Sequence, residues 1–229
     1  MSIIYSKFIL ATLRERSLFL FDLDRTLVKT EWSYTLAVLR QVIRNCGGRV
    51  FPESRVLEDF WIGDSMPRNE FIKRVLKIKP DDFWSQYHQL DLPESRVART
   101  VVMPGVERSL RWLRFQNKML GIVTAAYPAL AQAEADLIDC HFDSILSVSL
   151  HPRILPKPAP DGLLWSMRQF GCSPDETIYV GDSAEDYACA QAAGVDFIHL
   201  QQDDRCFSFA GAQPLLTFEH WENSPFLQM

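Results

Sequence analysis

Residues 18–21 read Leu-Phe-Leu-Phe, four apolar side chains without polar alternation, and the run stops at Asp22. A short unbroken apolar run predicts a strand buried on both faces of a parallel sheet. Similar runs recur at 119–123, 145–148, 177–180 and 195–200. Between them, apolar positions fall at helical spacing over 106–116, 128–138, 161–170 and 184–193, and Gly194 is placed to stop the last helix. Strand and helix in alternation predict an α/β fold, a Rossmann-like parallel sheet with right-handed crossovers. Residues 3–13 add an apolar segment interrupted by Lys7, read as a short amphipathic helix on the core. Residues 215–218 can add an edge strand in a C-terminal tail that is otherwise hard to read.

The rhythm breaks between residue 31 and about residue 100. That stretch contains helical patterns at 32–45, 53–61, 68–78 and 81–90, punctuated by Gly47-Gly48, Gly63 and Pro80. It reads as a helical insertion, which divides the chain into an α/β core of residues 1–30 and 100–229 and a helical cap of residues 31–99.

Composition narrows the class further. Hydrophobic residues make up 47% and charged residues 23% of the 229, the balance of a globular protein able to bury a real core. The net charge of −5, with no basic run, gives no footprint for nucleic acid. The apolar start is too short to span a bilayer and lacks a cleavage signature. The five cysteines, Cys46, Cys140, Cys172, Cys189 and Cys206, have no C-x-x-C spacing and are odd in number. They read as reduced thiols of a cytoplasmic protein, neither a zinc site nor a disulfide framework.

Candidate chemistry collects at the ends of the expected strands. Four segments stand at the ends of four expected strands: Asp22-Leu23-Asp24-Arg25-Thr26-Leu27, then Thr124, then Lys157 in Lys157-Pro158-Ala159-Pro160-Asp161 ahead of a helix, then Gly181-Asp182-Ser183-Ala184-Glu185-Asp186. Open parallel sheets bind ligands outside the carboxyl ends of their strands, so residues far apart in sequence can face one crevice. Asp22, Asp24 and Asp182 would crowd like charges, and a hard divalent cation such as Mg²⁺ relieves that repulsion through carboxylate, carbonyl and water ligands. Lys157 adds a point cation for a phosphoryl group, and Thr124 a hydroxyl and N–H near a helix start.

These segments resemble the four signature motifs of the haloacid-dehalogenase-like superfamily, in order and across most of the chain. The insertion after the first motif, and Met103-Pro104-Gly105-Val106 ahead of the second, are similar to the small-cap branch of phosphoglycolate phosphatase and β-phosphoglucomutase. The resemblance implies a Mg²⁺-dependent phosphatase acting on a small phosphorylated metabolite. It makes Asp22 the nucleophile and Asp24 the general acid and base, with Thr124 and Lys157 holding phosphoryl oxygens. Asp22, Asp182 and the carbonyl of Asp24 would bind the metal. Asp186 would orient Lys157 or a metal-bound water, ahead of Glu185. Residues 61–68 resemble a substrate-facing cap loop, which makes Arg68, Asn69 and Trp61 candidates for substrate contact, whereas Trp32 and Tyr34 read as packing.

The chain departs from the branch's pattern in two ways. Arg25 stands where glycine is usual, and its long cation has three readings: contact with substrate, contact with a cap carboxylate, or exposure to solvent. Ala125 and Ala126 follow Thr124 where a polar residue is common, which removes one expected phosphate or leaving-group contact. Three alternatives compete with hydrolysis. A phosphomutase would place a cap histidine at Tyr34 and commonly valine at Thr26; a dehalogenase would not need Asp24; a non-catalytic phospho-ligand-binding or regulatory protein would have lost one of the motif residues, and none is missing.

Overall fold

The computed structural model describes residues 5–49, 51, 53–62, 66–149, 151–202, 209, 211 and 213–229. Ile3, Gly63, Asp64, Ser65 and Cys206, which entered the sequence reading, lie outside the described residues. The chain divides into two compact units, Met1–Lys29 with Val101–Met229, and Thr30–Thr100.

In the first unit, helix α1 (Lys7–Glu15) is capped by Ser6, whose hydroxyl accepts the Ile9 N–H at 3.2 Å. It leads into β1 (Leu18–Phe21), and the chain leaves through β2 (Val28–Thr30). The second unit holds α2 (Trp32–Asn45), α3 (Ser54–Trp61), α4 (Arg68–Phe71), α5 (Pro80–Leu90) and α6 (Pro93–Val97). The chain returns through β3 (Thr100–Val102), which pairs with β2. The first unit then continues with α7 (Val106–Phe115), β4 (Met119–Thr124), α8 (Pro128–Ala135), β5 (Ser144–Ser147) and α9 (Asp161–Phe170). It closes with β6 (Thr177–Gly181), α10 (Ala184–Ala193), β7 (Asp196–Leu200) and β8 (Leu216–Phe218).

Six strands form one sheet in the order β5-β4-β1-β6-β7-β8, every neighbouring pair parallel. The α/β reading therefore holds, and the edge strand expected over 215–218 is β8 (Leu216–Phe218). The order reverses around β1: β4 and β5 lie to one side, β6 and β7 to the other, which makes the carboxyl end of β1 the place where a crevice opens. Alternation along β1 serves two cores. Phe19 and Phe21 join Leu110, Leu113, Trp221 and Phe226 on one face, and Leu18 and Leu20 join Leu163, Met167 and Tyr179 on the other. All four β1 side chains are fully buried, which is why the run shows no polar alternation. Gly194 ends α10 with φ 71°, a left-handed conformation that costs glycine little.

The helical unit has its own core, in which Phe60 stacks on Phe71 with centroids 4.7 Å apart and meets Phe83 edge-on at 5.8 Å. Here the periodicity reading needs correction. The helix expected over 68–78 is α4 followed by a π-helical turn (Ile72–Leu76), and Lys77, at φ 60°, ends it. The wider turn keeps both Ile72 and Leu76 fully buried. Helix α6 was not expected; it starts on Pro93 and carries Arg96 inward to a buried pair with Asp91 at 3.1 Å. Cys46, Cys140, Cys172 and Cys189 are free thiols. No helix among the described residues is long and apolar enough to cross a membrane.

Candidate active site

Asp22 is the first residue beyond β1, and its N–H still donates to Val180 O on β6 at 2.9 Å. The ladder thus carries the backbone of the first motif onto the strand that ends in the last motif. Register places Phe21 opposite Ile122 and Val180, so Thr124 and Asp182 emerge at the same edge of the sheet as Asp22.

After Asp22 the chain turns tightly. Leu23 O accepts from the N–H groups of Leu27 at 2.8 Å and Val28 at 3.1 Å, and the Arg25 N–H donates to Val28 O at 2.7 Å. That turn holds Arg25 at φ 66°. A non-glycine residue there costs about 1–2 kcal/mol. The turn is braced from outside: Trp221 Nε1, fully buried in the C-terminal segment, donates to Thr26 O at 2.7 Å. Sequence reading missed Trp221 because this bond spans nearly the whole chain and no local pattern announces it.

The side chains form a continuous polar chain. Lys157 Nζ donates to Asp22 Oδ1 and to Asp186 Oδ1, each at 2.7 Å. The Thr26 hydroxyl lies 3.2 Å from Asp22 Oδ2 and 3.5 Å from Asp182 Oδ1. Arg25 Nε donates to Asp182 Oδ2 at 3.0 Å. The solvent reading of Arg25 is corrected, since its partner is a carboxylate of the core site itself, a pairing that none of the three readings named. The left-handed turn and the side chain's length bring Nε back over the end of β6, a closure that spacing along the chain does not reveal.

Asp186 is saturated. Its Oδ1 accepts from Lys157 and from Tyr179 OH at 2.7 Å, and its Oδ2 from Ser183 Oγ at 2.6 Å and Ser183 N–H at 3.2 Å. Ser183 caps α10 reciprocally, since its hydroxyl also accepts the Asp186 N–H at 3.1 Å. Gly181 is required beneath this carboxylate, because an added Cβ would come 2.6 Å from Asp186 Cβ. Tyr179 is a second residue that sequence reading passed over; as an aromatic in an apolar strand it looked like core.

Electrostatics follow from burial. Desolvation pushes the Asp22 carboxyl up from its ordinary range; Lys157 pulls it back, and Asp186 and Asp182 add to the rise. Asp182 is pushed up to about 7, chiefly by burial, with Arg25 opposing and Asp186 adding to the rise. Burial also acts against the charged forms of Asp186 and Lys157, but their attraction for each other, together with the Ser183 and Tyr179 bonds to Asp186 and the Asp22 contact of Lys157, outweighs it, so Asp186 falls below its ordinary value and Lys157 rises above. Lys157 therefore stays cationic with Asp186 as its ionised partner, and Asp22 and Asp182 are the carboxylates short of positive charge.

Carboxylate oxygens of Asp22, Asp182 and Asp186 lie within 4.8 Å of one another. Because both Asp186 oxygens already carry full hydrogen-bond complements, Asp22 and Asp182 are the better donors. A pair of hard oxygens from charge-deficient carboxylates fits Mg²⁺.

Thr124 is buried, and its Oγ1 accepts the Ala126 N–H at 3.1 Å, tightening the turn between β4 and α8. Asp24 is half-buried, with a bridge to Val28. The cap candidates are engaged within the helical unit: Arg68 Nη2 donates to Trp61 O at 3.3 Å with its guanidinium over the Trp61 ring, and Asn69 Oδ1 accepts from Trp84 Nε1 at 2.8 Å.

Residues 19–200 match the family model described as haloacid dehalogenase-like hydrolase. Phosphoglycolate phosphatase of Nitrosococcus oceani is 29% identical over 82% of this chain and 85% of its own length. That of Cereibacter sphaeroides is 31% identical over 77% of this chain and 81% of its own. Among solved structures, CbbY from Rhodobacter sphaeroides in complex with phosphate superposes with a TM-score of 0.71 at 19% identity, covering 90% of this chain and 95% of that one.

Proposed function

Since the chain belongs to the haloacid dehalogenase-like hydrolase family, we propose that it hydrolyses a small phosphomonoester of the phosphoglycolate class through an aspartyl-phosphate on Asp22. The observation that carries this reading is the Lys157 ammonium 2.7 Å from Asp22 Oδ1 at the carboxyl end of the central strand.

Asp22 attacks phosphorus through a carboxylate oxygen, and the leaving alkoxide departs with a proton from Asp24. Asp24, now a base, takes a proton from the water that cleaves the acyl phosphate and restores Asp22. Lys157, held cationic by Asp186, balances charge on the transferring group, and Thr124 offers its backbone to a phosphoryl oxygen. Asp22, Asp182 and the carbonyl of Asp24 are the proposed Mg²⁺ ligands; when bound, the ion offsets the negative charge of carboxylate and phosphate so that they can approach. Asp186 positions Lys157 and does not bind the metal. Hydrolysis is favoured over phosphoryl transfer between sugar hydroxyls because Tyr34 stands where a mutase would carry a cap histidine, and its hydroxyl is committed to Asp91 Oδ1 at 3.1 Å.

The test separates the two carboxylates of the first motif. Asp22→Asn removes the nucleophile, so acid-quenched intact protein should carry no added phosphoryl group and turnover should fall to background. Asp24→Asn keeps the nucleophile. With an aryl phosphate, whose leaving group needs little protonation, it should give a burst of phenol and a persistent phosphoprotein by mass spectrometry. With an alkyl phosphate its turnover should drop about 10²–10⁴-fold. Phosphoryl label on Asp22→Asn would refute the nucleophile.

A further inference from the structure

The Arg25–Asp182 pair has no place in that mechanism, although it sits at the centre of the site. Arg25 Nε is 3.0 Å from Asp182 Oδ2, and the two side chains are only 19% and 11% exposed. The pair is bought with backbone strain, since Arg25 occupies a left-handed φ of 66° that glycine would adopt freely. The cost is offset by attraction to a carboxylate that burial disfavours as an anion. Four acidic groups, Asp22, Asp24, Asp182 and Asp186, share the neighbourhood with two cations, Lys157 and Arg25, and Lys157 is already divided between Asp22 and Asp186. Arg25 is therefore the cation that serves Asp182.

We propose that Arg25 is a built-in counter-cation of the metal site: it offsets part of the charge of Asp182 in the metal-free protein and opposes the binding of a divalent cation there. The inference rests on the reading that Asp22 and Asp182 hold Mg²⁺. A guanidinium on a metal-ligand carboxylate lowers the negative charge that the ligand offers and repels the incoming ion across a few ångströms of partly desolvated space. The same charge has the reverse effect on an oxyanion. With Arg25 and Lys157 both cationic, the metal-free site holds a phosphate dianion better than a site with Lys157 alone. Arg25 thus sets a balance in which the metal is bound less tightly, and phosphate more tightly, than the neighbouring carboxylates by themselves would dictate.

Both ligands can be titrated calorimetrically into the full-length protein, without turnover, using MgCl₂ in one series and inorganic phosphate on metal-free protein in the other. The variants are Arg25→Gly, which suits the backbone, Arg25→Gln, which keeps a polar side chain without charge, and Arg25→Lys. Arg25→Gly and Arg25→Gln should bind Mg²⁺ about tenfold or more tighter than wild type and metal-free phosphate about tenfold weaker, with Arg25→Lys close to wild type. Opposite signs are the mark of a counter-cation. A strut whose removal disorders the site would weaken both ligands, and that result, or any pairing of signs other than the expected one, overturns the proposal. If wild type and all variants fail to bind Mg²⁺, the metal reading falls together with this inference; if wild type binds and the neutral variants bind no more tightly, only the inference falls.

Discussion

Lys157 joins Asp22 to Asp186 through two bonds of 2.7 Å, with its own side chain only 5% exposed. Removing one partner of a buried charge network strands the others, a loss of about 3–5 kcal/mol. Lys157→Met keeps much of the volume and none of the charge. It should lower the unfolding free energy at pH 7 by roughly that amount in urea titrations and, combined with Asp24→Asn, abolish the phosphoprotein that Asp24→Asn alone accumulates. A variant that loses activity at unchanged stability would mean that Lys157 serves the substrate alone and carries none of the carboxylate burden. Tyr179 and Ser183 complete the setting of Asp186, so the orientation of one lysine depends on Asp22 beyond β1 and on three residues from β6, α10 and the loop between them.

Asp143 ties elements together in the way Lys157 ties residues. It precedes β5, accepts from Arg114 of α7 at 2.6 Å, and accepts the Leu120 N–H of β4 at 2.9 Å. Partial burial alone would raise its pKa, but the Arg114 and Leu120 hydrogen bonds and the Arg114 charge outweigh it and hold the carboxyl below its ordinary value. The unfolded chain therefore takes up a proton at higher pH than the native state does. The stabilisation is complete above the unfolded value of about 4 and is lost as pH falls through the lower native value. Asp143→Asn should cost about 1–2 kcal/mol at pH 7, and the gap to wild type in denaturant titrations should narrow as pH falls below about 4. A gap constant from pH 7 to 3 would show that the charge is not what matters. Close packing fixes the same layer elsewhere: a Cβ on Gly162 of α9 would lie 2.8 Å from Val148 and 2.9 Å from Val123, so α9 meets the sheet only because that position has no side chain.

At the scale of the molecule, each unit buries its own core, and among the described residues the clusters share none. The helical unit begins at Thr30 and ends at Thr100, whose hydroxyls lie 2.8 Å apart. Its ends are close enough for a linker of about three residues to replace it. A chain joining Lys29 to Val101 by Gly-Ser-Gly should fold and unfold cooperatively, since the sheet, its covering helices and the Trp221 brace on Thr26 all lie outside the excised segment. Thermal unfolding followed by circular dichroism checks this; a broad, non-cooperative transition would show that the core depends on the insertion.

Much of this was legible in the chain itself. Unbroken apolar runs mark strands covered on both faces, because a central parallel strand has no solvent side to record; helical spacing marks the covering layers; and the acidic residues and lysine stand where those runs stop. Those signals are local, and they determined the α/β class, the helical insertion and the candidate residues from Asp22 to Asp186. What tertiary structure alone decided is which polar atom meets which. The assignment of Lys157 to two carboxylates, the turn of Arg25 onto Asp182, the brace from Trp221 to Thr26 and the role of Tyr179 all join residues distant in sequence, or depend on a side chain's path in space. Hydrophobic periodicity reports only whether a position faces water, whereas a hydrogen bond depends on distance and angle between groups that the folded sheet and its loops bring together.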